Sequence, residues 1–313
     1  MSFLRACASS WLVVLCVSTP ALAQQTYLLV ITGAPGDDEH ATKFQQWAKT
    51  FIDTARTKDS VPESNVTFLS GSAAAKAAVE KAFTDIAAKT KPNDELFVLL
   101  IGHGSFDGTT AAFNIPGPDL TADDYARILS KFSAQRVVFV NTASSSGAFL
   151  KPLAGSGRVI VTSTKTGGER NEPDFPQYFV EAFGNDAADR DRNGHVSVGE
   201  AFEYAKAKVV EAFQKKGLLL TEHATLDDGS EGQLASSVFL GGGQGRSALQ
   251  VDTNDPELKA LADQRDAIDR QITELRAKKA TMDQAKYDAD MEKLLTALAL
   301  KTKEIRDLQA KKK

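Results

Sequence analysis

The chain has 313 residues, 42% of them hydrophobic, and its 37 lysines and arginines stand against 41 aspartates and glutamates, for a net charge of -4. This mild acidity argues against nucleic acid as a partner, because surfaces that bind nucleic acid are basic. The length allows one full-sized hydrophobic core and a smaller additional unit.

Residues 1–23 have the pattern of a cleavable export signal. Arg5 precedes a short apolar stretch, and the segment ends in Ala21-Leu22-Ala23, an A-x-A cleavage pattern. The apolar stretch is shorter than the ~20 residues that a membrane-spanning helix needs, and no later segment is long enough. We therefore predict a secreted or periplasmic protein that is cleaved after Ala23 and has no membrane span.

Both cysteines, Cys7 and Cys16, lie in this predicted signal. The processed chain would hold no thiol, which excludes disulfides, thiolate catalysis and cysteine-ligated metals. Arg5 is the only charged residue of the signal, so 36 basic and 41 acidic side chains remain, for a net charge of -5.

Short apolar runs rich in β-branched residues alternate with segments of helical spacing between residues 24 and 240. Such runs suit strands buried on both faces, and the alternation predicts an α/β fold with a mainly parallel sheet and helices on both faces. In such sheets ligands bind beyond the carboxyl ends of the strands. The five predicted strands are residues 27–31, 66–69, 96–101, 136–141 and 158–162.

Two of these strands end in residues that suit a binding or catalytic site. His103 and Gly104 follow the third strand, and a run of small residues that includes Ser144 follows the fourth. If the strands are neighbours, about 4.8 Å apart, the imidazole and the hydroxyl face one cleft. The alternatives are a structural histidine and a tight turn whose hydroxyls cap the next helix.

The strand that ends in His103-Gly104, followed about forty residues later by the strand that ends in residues 142–147, resembles the caspase and legumain superfamily of cysteine peptidases. In its legumain-like members the second strand ends in Glu-Ala-Cys-Glu-Ser-Gly. Ala143, Ser146 and Gly147 match this pattern, whereas Thr142 stands at the acidic position and Ser144 at the cysteine. The resemblance covers about residues 26–240. It implies a caspase-like three-layer sandwich.

The resemblance implies that His103 is the acid-base residue, that Gly104 is part of the oxyanion site, and that Ser144 holds the nucleophile position. A hydroxyl, unlike a thiol, needs a hydrogen-bonded general base and a third group that orients the base. Asp107 is a candidate for that group only by its proximity in sequence. We therefore predict a pseudopeptidase that binds peptide or protein segments; the alternative is an active peptidase with a Ser144-His103 dyad.

Weaker candidates for the cleft are His40, in an acidic loop, and His223. Neither histidine has a pairing partner that can be read from the sequence, so an ordinary surface position is the alternative for both. Arg170 and Glu172, in the Gly-rich loop after the fifth strand, are candidates for substrate recognition on position alone.

Residues 189–200 fit the EF-hand calcium loop, D-x-[DN]-x-[DN]-G-x5-E, at every position. Such a loop supplies side-chain oxygens at positions 1, 3, 5 and 9, a backbone carbonyl at 7 and a bidentate carboxylate at 12. We predict one weak, structural Ca²⁺ site; the alternative is a solvated acidic turn. The predicted ligands are Asp189, Asp191, Asn193, the His195 carbonyl, Ser197 and Glu200.

A Gly-rich segment begins a predicted linker, residues 241–255. Over residues 256–313 apolar side chains recur at alternating steps of three and four, with a break near residues 281–284. Two helices follow, as an antiparallel hairpin or as part of a coiled coil that joins two molecules. Because so narrow an apolar stripe needs a partner surface, we expect self-association or docking on another protein. The alternative is a solvated charged helix.

Overall fold

The computed structural model describes residues 24–92, 94–132, 135–229, 234–243, 255–277 and 282–312. The predicted export signal and residues 244–254 of the predicted linker lie outside them. The strands are β1 (Thr26–Thr32), β2 (Val66–Leu69), β3 (Glu95–Ile101), β4 (Gly104–Phe106), β5 (Ala111–Phe113), β6 (Leu120–Thr121), β7 (Arg136–Asn141), β8 (Arg158–Thr162) and β9 (Thr225–Asp227). The helices are α1 (Asp38–Thr57), α2 (Lys76–Lys89), α3 (Ala122–Leu129), α4 (Leu150–Leu153), α5 (Phe175–Gly184), α6 (Val198–Lys215), α7 (Leu234–Ser237), α8 (Pro256–Ala277) and α9 (Gln284–Lys311).

A six-stranded sheet in the order β2-β1-β3-β7-β8-β9 forms the centre of the protein. The first five strands in this order are parallel, and β9 pairs antiparallel with β8. The predicted strands and their mainly parallel arrangement are therefore confirmed. Two features were not predicted: the edge strand β9 and a small antiparallel sheet of β4, β5 and β6.

Helices cover both faces of this sheet. Every residue of β3 is buried, and alternate side chains enter opposite cores: Phe97 packs with α1, α5 and α6, whereas Val98 packs with α2 and α3. Phe51 and Phe183 meet edge to face at 5.3 Å in the first core. Burial of each such side chain contributes roughly 1.5–3 kcal/mol. The three-layer sandwich is thus confirmed, and it explains why the strands read as continuous apolar runs.

The carboxyl ends of β3 and β7 are adjacent because these strands pair directly, with Leu100 opposite Asn141. The loop after β1 also closes on this edge. A Cβ on Gly102 would lie only 3.1 Å from the backbone of Gly33, so these two loops touch through glycine backbones. The sheet therefore brings the loops after β1, β3, β7 and β8 to one end of the molecule.

The two C-terminal helices pack against each other as an antiparallel hairpin. Lys312, just after α9, bonds Asp255, just before α8, and the buried Leu258 and Ile305 form a small core between the helices. Of the two arrangements that the apolar pattern allowed, the structure has the hairpin. None of the described helices is long and apolar enough to cross a membrane.

The first residues of the predicted linker are packed on the core. Leu240–Gly243 form a 3-10 turn, and Leu240 is buried. Gly241 has a φ of +78°, and a Cβ there would lie 1.9 Å from the carbonyl oxygen of Asp59, so only glycine fits. Asp255, at the other end, accepts hydrogen bonds from the first backbone N–H groups of α8.

Candidate active site

His103 stands at the carboxyl end of β3 with its imidazole half-buried. Its Nε2 lies 3.0 Å from the carbonyl oxygen of Pro35, and its ring meets the rings of His40 at 4.8 Å and Phe44 at 5.3 Å. A carbonyl can only accept, so this bond requires a proton on Nε2 and leaves Nδ1 as the basic nitrogen of the neutral ring. The imidazole therefore has an orienting group, a backbone atom that the sequence did not reveal.

Ser144 follows β7, and its hydroxyl is held by the backbone of Gly104. Oγ donates to the Gly104 carbonyl oxygen at 3.0 Å and accepts from the Gly104 N–H at 3.3 Å. Ser144 is only 7% exposed. Within the described part of the chain, no hydrogen bond joins this hydroxyl to the imidazole of His103. The hydroxyl proton therefore points at a carbonyl and not at a base.

Gly104 brings the two loops into contact. A Cβ at this position would lie 2.3 Å from the carbonyl oxygen of Ser144, so no side chain fits between them. Its N–H, the expected oxyanion donor, faces the nucleophile position, where it bonds the Ser144 hydroxyl. Gly104 and Ser144 thus meet at the carboxyl ends of β3 and β7, whereas the imidazole of His103, the residue before Gly104, packs on Pro35, His40 and Phe44.

The turn after β7 is built by backbone strain and long-range hydrogen bonds. Ser145 has a φ of +57°, and its N–H donates to the carbonyl of Glu169 at 2.8 Å. Ser146 Oγ and the Gly147 N–H both bond Thr164 Oγ1. No serine hydroxyl caps the 3-10 turn or α4 that follows. The alternative that these hydroxyls serve as helix caps is therefore wrong.

His40 packs against His103 and has the partners that the sequence did not show. Its Nδ1 is 2.7 Å from Asp37, and its Nε2 is 3.1 Å from Glu172, which also binds Lys43 at 2.8 Å. Hydrogen bonds to Glu172 and then to Asp37 raise the pKa of His40. Glu172 is 132 residues from His40 in sequence, so only the folded sheet brings them together.

His223 contacts the loop after β8 through Glu169. Its Nδ1 lies 3.1 Å from Glu169, the residue whose carbonyl accepts from Ser145. The neighbouring Glu222 accepts from two backbone N–H groups at the start of α5, and burial raises its pKa to about 7. Both residues therefore support the loop after β8.

Asp107 does not orient His103. Its Oδ1 accepts from the N–H groups of Thr109 and Thr110 at 2.8 Å each, and these bonds lower its pKa. The carboxylate therefore closes the turn between β4 and β5, which corrects the expectation from sequence. Arg170 likewise bonds a backbone carbonyl, that of Phe106, at 3.2 Å.

The calcium-type loop lies between α5 and α6. Carboxylate oxygens of Asp189, Asp191 and Glu200 all lie within 4.8 Å of one another. Burial and the nearby charges of Asp191 and Glu200 together raise the pKa of Asp189 to about 6, against the lowering effect of the hydrogen bond from the Gly194 N–H. A divalent cation that prefers oxygen ligands would neutralise the negative charge of three carboxylates brought so close together.

The other predicted ligands are engaged inside the loop. Asn193 Oδ1 accepts from the N–H of His195, and Ser197 Oγ donates to Glu200 as part of a capping box on α6. Glu200 also accepts from the N–H groups of Arg190 and Asp191. The donor set is made of oxygen atoms throughout, which fits Ca²⁺.

The fold is the caspase-like three-layer sandwich that the sequence predicted. The model of the peptidase C13 family matches residues 45–225, more than half of the chain. The chain therefore belongs to the peptidase C13 family. The matched segment includes both strand ends and the calcium-type loop but not the hairpin.

No curated protein matches the chain. Among solved structures, protein GSU0716 from Geobacter sulfurreducens is similar at 14% identity and a TM-score of 0.46, over 65% of this chain and 92% of that one. The Drosophila initiator caspase Dronc gives 11% and 0.43, over 65% and 79%. Caspase-1 from Spodoptera frugiperda gives 14% and 0.42, over 65% and 86%.

Proposed function

We propose that this protein is a pseudopeptidase of the C13 family that binds peptide or protein segments in the cleft at His103 and Ser144. The observation that carries the proposal is the pairing of the Ser144 hydroxyl with the Gly104 backbone in place of the imidazole. A thiol of pKa near 8.5 supplies some thiolate unaided, whereas a hydroxyl must lose its proton to a bonded base. The Ser144 hydroxyl, which can attack only after it loses its proton to a base, thus donates that proton to a backbone carbonyl instead.

The proposal is tested by cleavage of a peptide library with purified protein. We expect no turnover from the unchanged chain, and turnover from Ser144→Cys that disappears in Ser144→Cys, His103→Ala. Retention of library peptides by the unchanged protein, measured by mass spectrometry after gel filtration, reports binding. Cleavage by the unchanged chain that Ser144→Ala abolishes would make the pseudopeptidase wrong.

The second candidate is an active exported hydrolase that uses a Ser144-His103 dyad. One observation favours it: the Pro35 carbonyl orients the imidazole as the third member of a triad would, although through Nε2. The hydroxyl would have to leave the Gly104 carbonyl and turn to Nδ1 when substrate binds. The same cleavage experiment decides between the two functions.

We also propose that residues 189–200 hold a structural Ca²⁺ ion that clamps α5 to α6. The complete EF-hand spacing and the convergence of Asp189, Asp191 and Glu200 support this. A single loop of this type suggests a dissociation constant of about 10⁻⁴–10⁻³ M.

Export and self-association are further proposals. Residues 1–23 support export to a secreted or periplasmic location, which N-terminal sequencing of the processed protein tests: a chain that begins at Gln24 is expected, and one that begins at Met1 overturns it. Because α8 and α9 cover each other's apolar stripe, the proposal of self-association is supported only by apolar side chains that stay exposed on the hairpin, such as Leu300. Light scattering with and without residues 256–313 tests it. A monomer in both cases would contradict it.

A further inference from the structure

The loop after β8, residues 165–174 and here named the strap, contacts the two chain segments that hold the Ser144 hydroxyl. It contains no helix or strand. On one side of Ser144 the strap touches the turn after β7, where the Ser145 N–H bonds the Glu169 carbonyl at 2.8 Å. On the other side it touches β4, because a Cβ on Gly167 would lie 2.5 Å from the ring of Phe106. The strap thus packs on both the turn that carries Ser144 and the strand that begins at Gly104, and Ser144 is only 7% exposed.

Side-chain bonds tie the far end of the strap to α1. Glu172 binds Lys43 at 2.8 Å and His40 at 3.1 Å, and His40 packs edge to face on His103. The side chains of Glu172, Lys43 and His40 are 39%, 34% and 21% exposed. Pairs this exposed are individually weak. A segment without backbone ladders that depends on such pairs opens at a lower free energy than the sheet.

We propose that the strap is a closing element over Ser144 and that Glu172 is its latch. This inference rests on the proposed function of the cleft as a peptide-binding site. A peptide reaches Gly104 and Ser144 only after Glu172 leaves His40 and Lys43 and the strap moves off Phe106. Glu172 therefore sets how often the cleft is open, and it takes no part in chemistry.

The latch depends on pH through His40. The groups that face this imidazole are Asp37, Glu172, Lys43 and His103, and the two carboxylates are its hydrogen-bond partners. Since those partners raise the pKa of His40, the charged latch is complete below the ordinary histidine value near 6.5. It is lost as pH rises through the raised value. The Lys43 pair remains, so the strap loosens but does not detach.

The absence of cysteine from residues 24–313 provides a direct probe. In a Ser144→Cys background the only thiol of the processed chain lies under the strap, and its alkylation rate by iodoacetamide measures opening. We expect Glu172→Gln to raise this rate about threefold, in keeping with the loss of weak exposed pairs. The matched control is Glu63→Gln, which removes an exposed pair with Arg56 elsewhere on α1 and leaves the rate unchanged.

A second measurement keeps Ser144 in place. Hydrogen exchange of the Ser145 amide reports the same opening, because its N–H is bonded to the strap. We expect its protection to fall about threefold in Glu172→Gln. In the unchanged chain we expect protection to fall from pH 6 to pH 9, and we expect His40→Gln to show no such dependence.

Equal alkylation and equal protection in Glu172→Gln and the unchanged chain would overturn the latch. Flat protection between pH 6 and pH 9 in the unchanged chain would overturn the role of His40. Both measurements are made without peptide. They therefore fail or succeed independently of the library experiment, which alone decides the proposed function.

Discussion

The cleft and the calcium-type loop are assembled in opposite ways. The loop takes its carboxylates from twelve consecutive residues, and the backbone turn at Gly194, with a φ of +89°, brings them together. The cleft takes its groups from four loops, and the two partners of Glu172 lie 129 and 132 residues away in sequence. Residue spacing in the sequence therefore predicts a site formed by one short segment. A site assembled by strand pairing can be predicted only from the residues that follow each strand.

The largest effect on the free energy of unfolding is expected at Gly147, where the loops after β7 and β8 are in backbone contact. A Cβ on Gly147 would lie 2.2 Å from the carbonyl carbon of Lys165 and 2.3 Å from the nitrogen of Thr166, so it would meet a backbone peptide group and no flexible side chain. We expect Gly147→Ala to lower the free energy of unfolding by about 3 kcal/mol, measured by urea denaturation. Gly168→Ala, where the nearest atom is 3.4 Å away, is the control. Equal effects would remove the contrast with the local loop.

The hairpin, like the calcium-type loop, is formed by one continuous segment of the chain. We therefore expect its unfolding to leave the main sheet and its helices folded. Ile305 is fully buried against Leu258. We expect Ile305→Ala to destabilise the hairpin by about 2 kcal/mol and to speed proteolysis of residues 256–312 without lowering the melting temperature of the core. Leu300→Ala, at a side chain 59% exposed, should change neither. A lower core melting temperature in Ile305→Ala would show that the hairpin is part of the main cooperative unit.

Glu222, which supports the loop after β8, should make the free energy of unfolding depend on pH. Burial raises its pKa to about 7, so the folded state binds its proton more tightly than the unfolded state does. Stability from this group is then greatest below pH 4.5 and falls as pH rises to about 7. Relative to Glu222→Gln, the unchanged chain should lose about 1.5 kcal/mol over that range, less than the full shift because the effective dielectric of such sites is high. Parallel stability curves would contradict this.

The smallest expected effect belongs to the calcium-type loop. At ten times its dissociation constant Ca²⁺ stabilises the folded state by about 1.4 kcal/mol. We expect a chelator to lower the melting temperature of the unchanged chain and to have no effect on Glu200→Gln. Glu203→Gln, an exposed position on the same helix, should keep the response. If Ca²⁺ changes the melting temperature of neither the unchanged chain nor any variant, residues 189–200 are a solvated acidic turn and not a Ca²⁺ site.

Sequence alone predicted the central strands because residues such as Phe97 and Val98 are buried on opposite faces, which makes every position of the strand apolar. It missed β9, a strand of three half-buried residues at the sheet edge. It predicted His103 and Ser144 from strand ends. The Pro35 carbonyl could not be found in this way, because every residue has a carbonyl and only the fold aims one at an imidazole.

The hydroxyl at Ser144 also determines how the candidate site responds to oxidants. A nucleophilic thiolate is oxidised by peroxide through sulfenic to irreversible sulfinic and sulfonic acids. An alcohol bonded to a backbone carbonyl and N–H undergoes none of these reactions. Electrophilic inhibitors that disable cysteine peptidases would likewise find no sulfur here. Peroxide that would inactivate a cysteine nucleophile at this position thus leaves the Ser144 side chain unchanged.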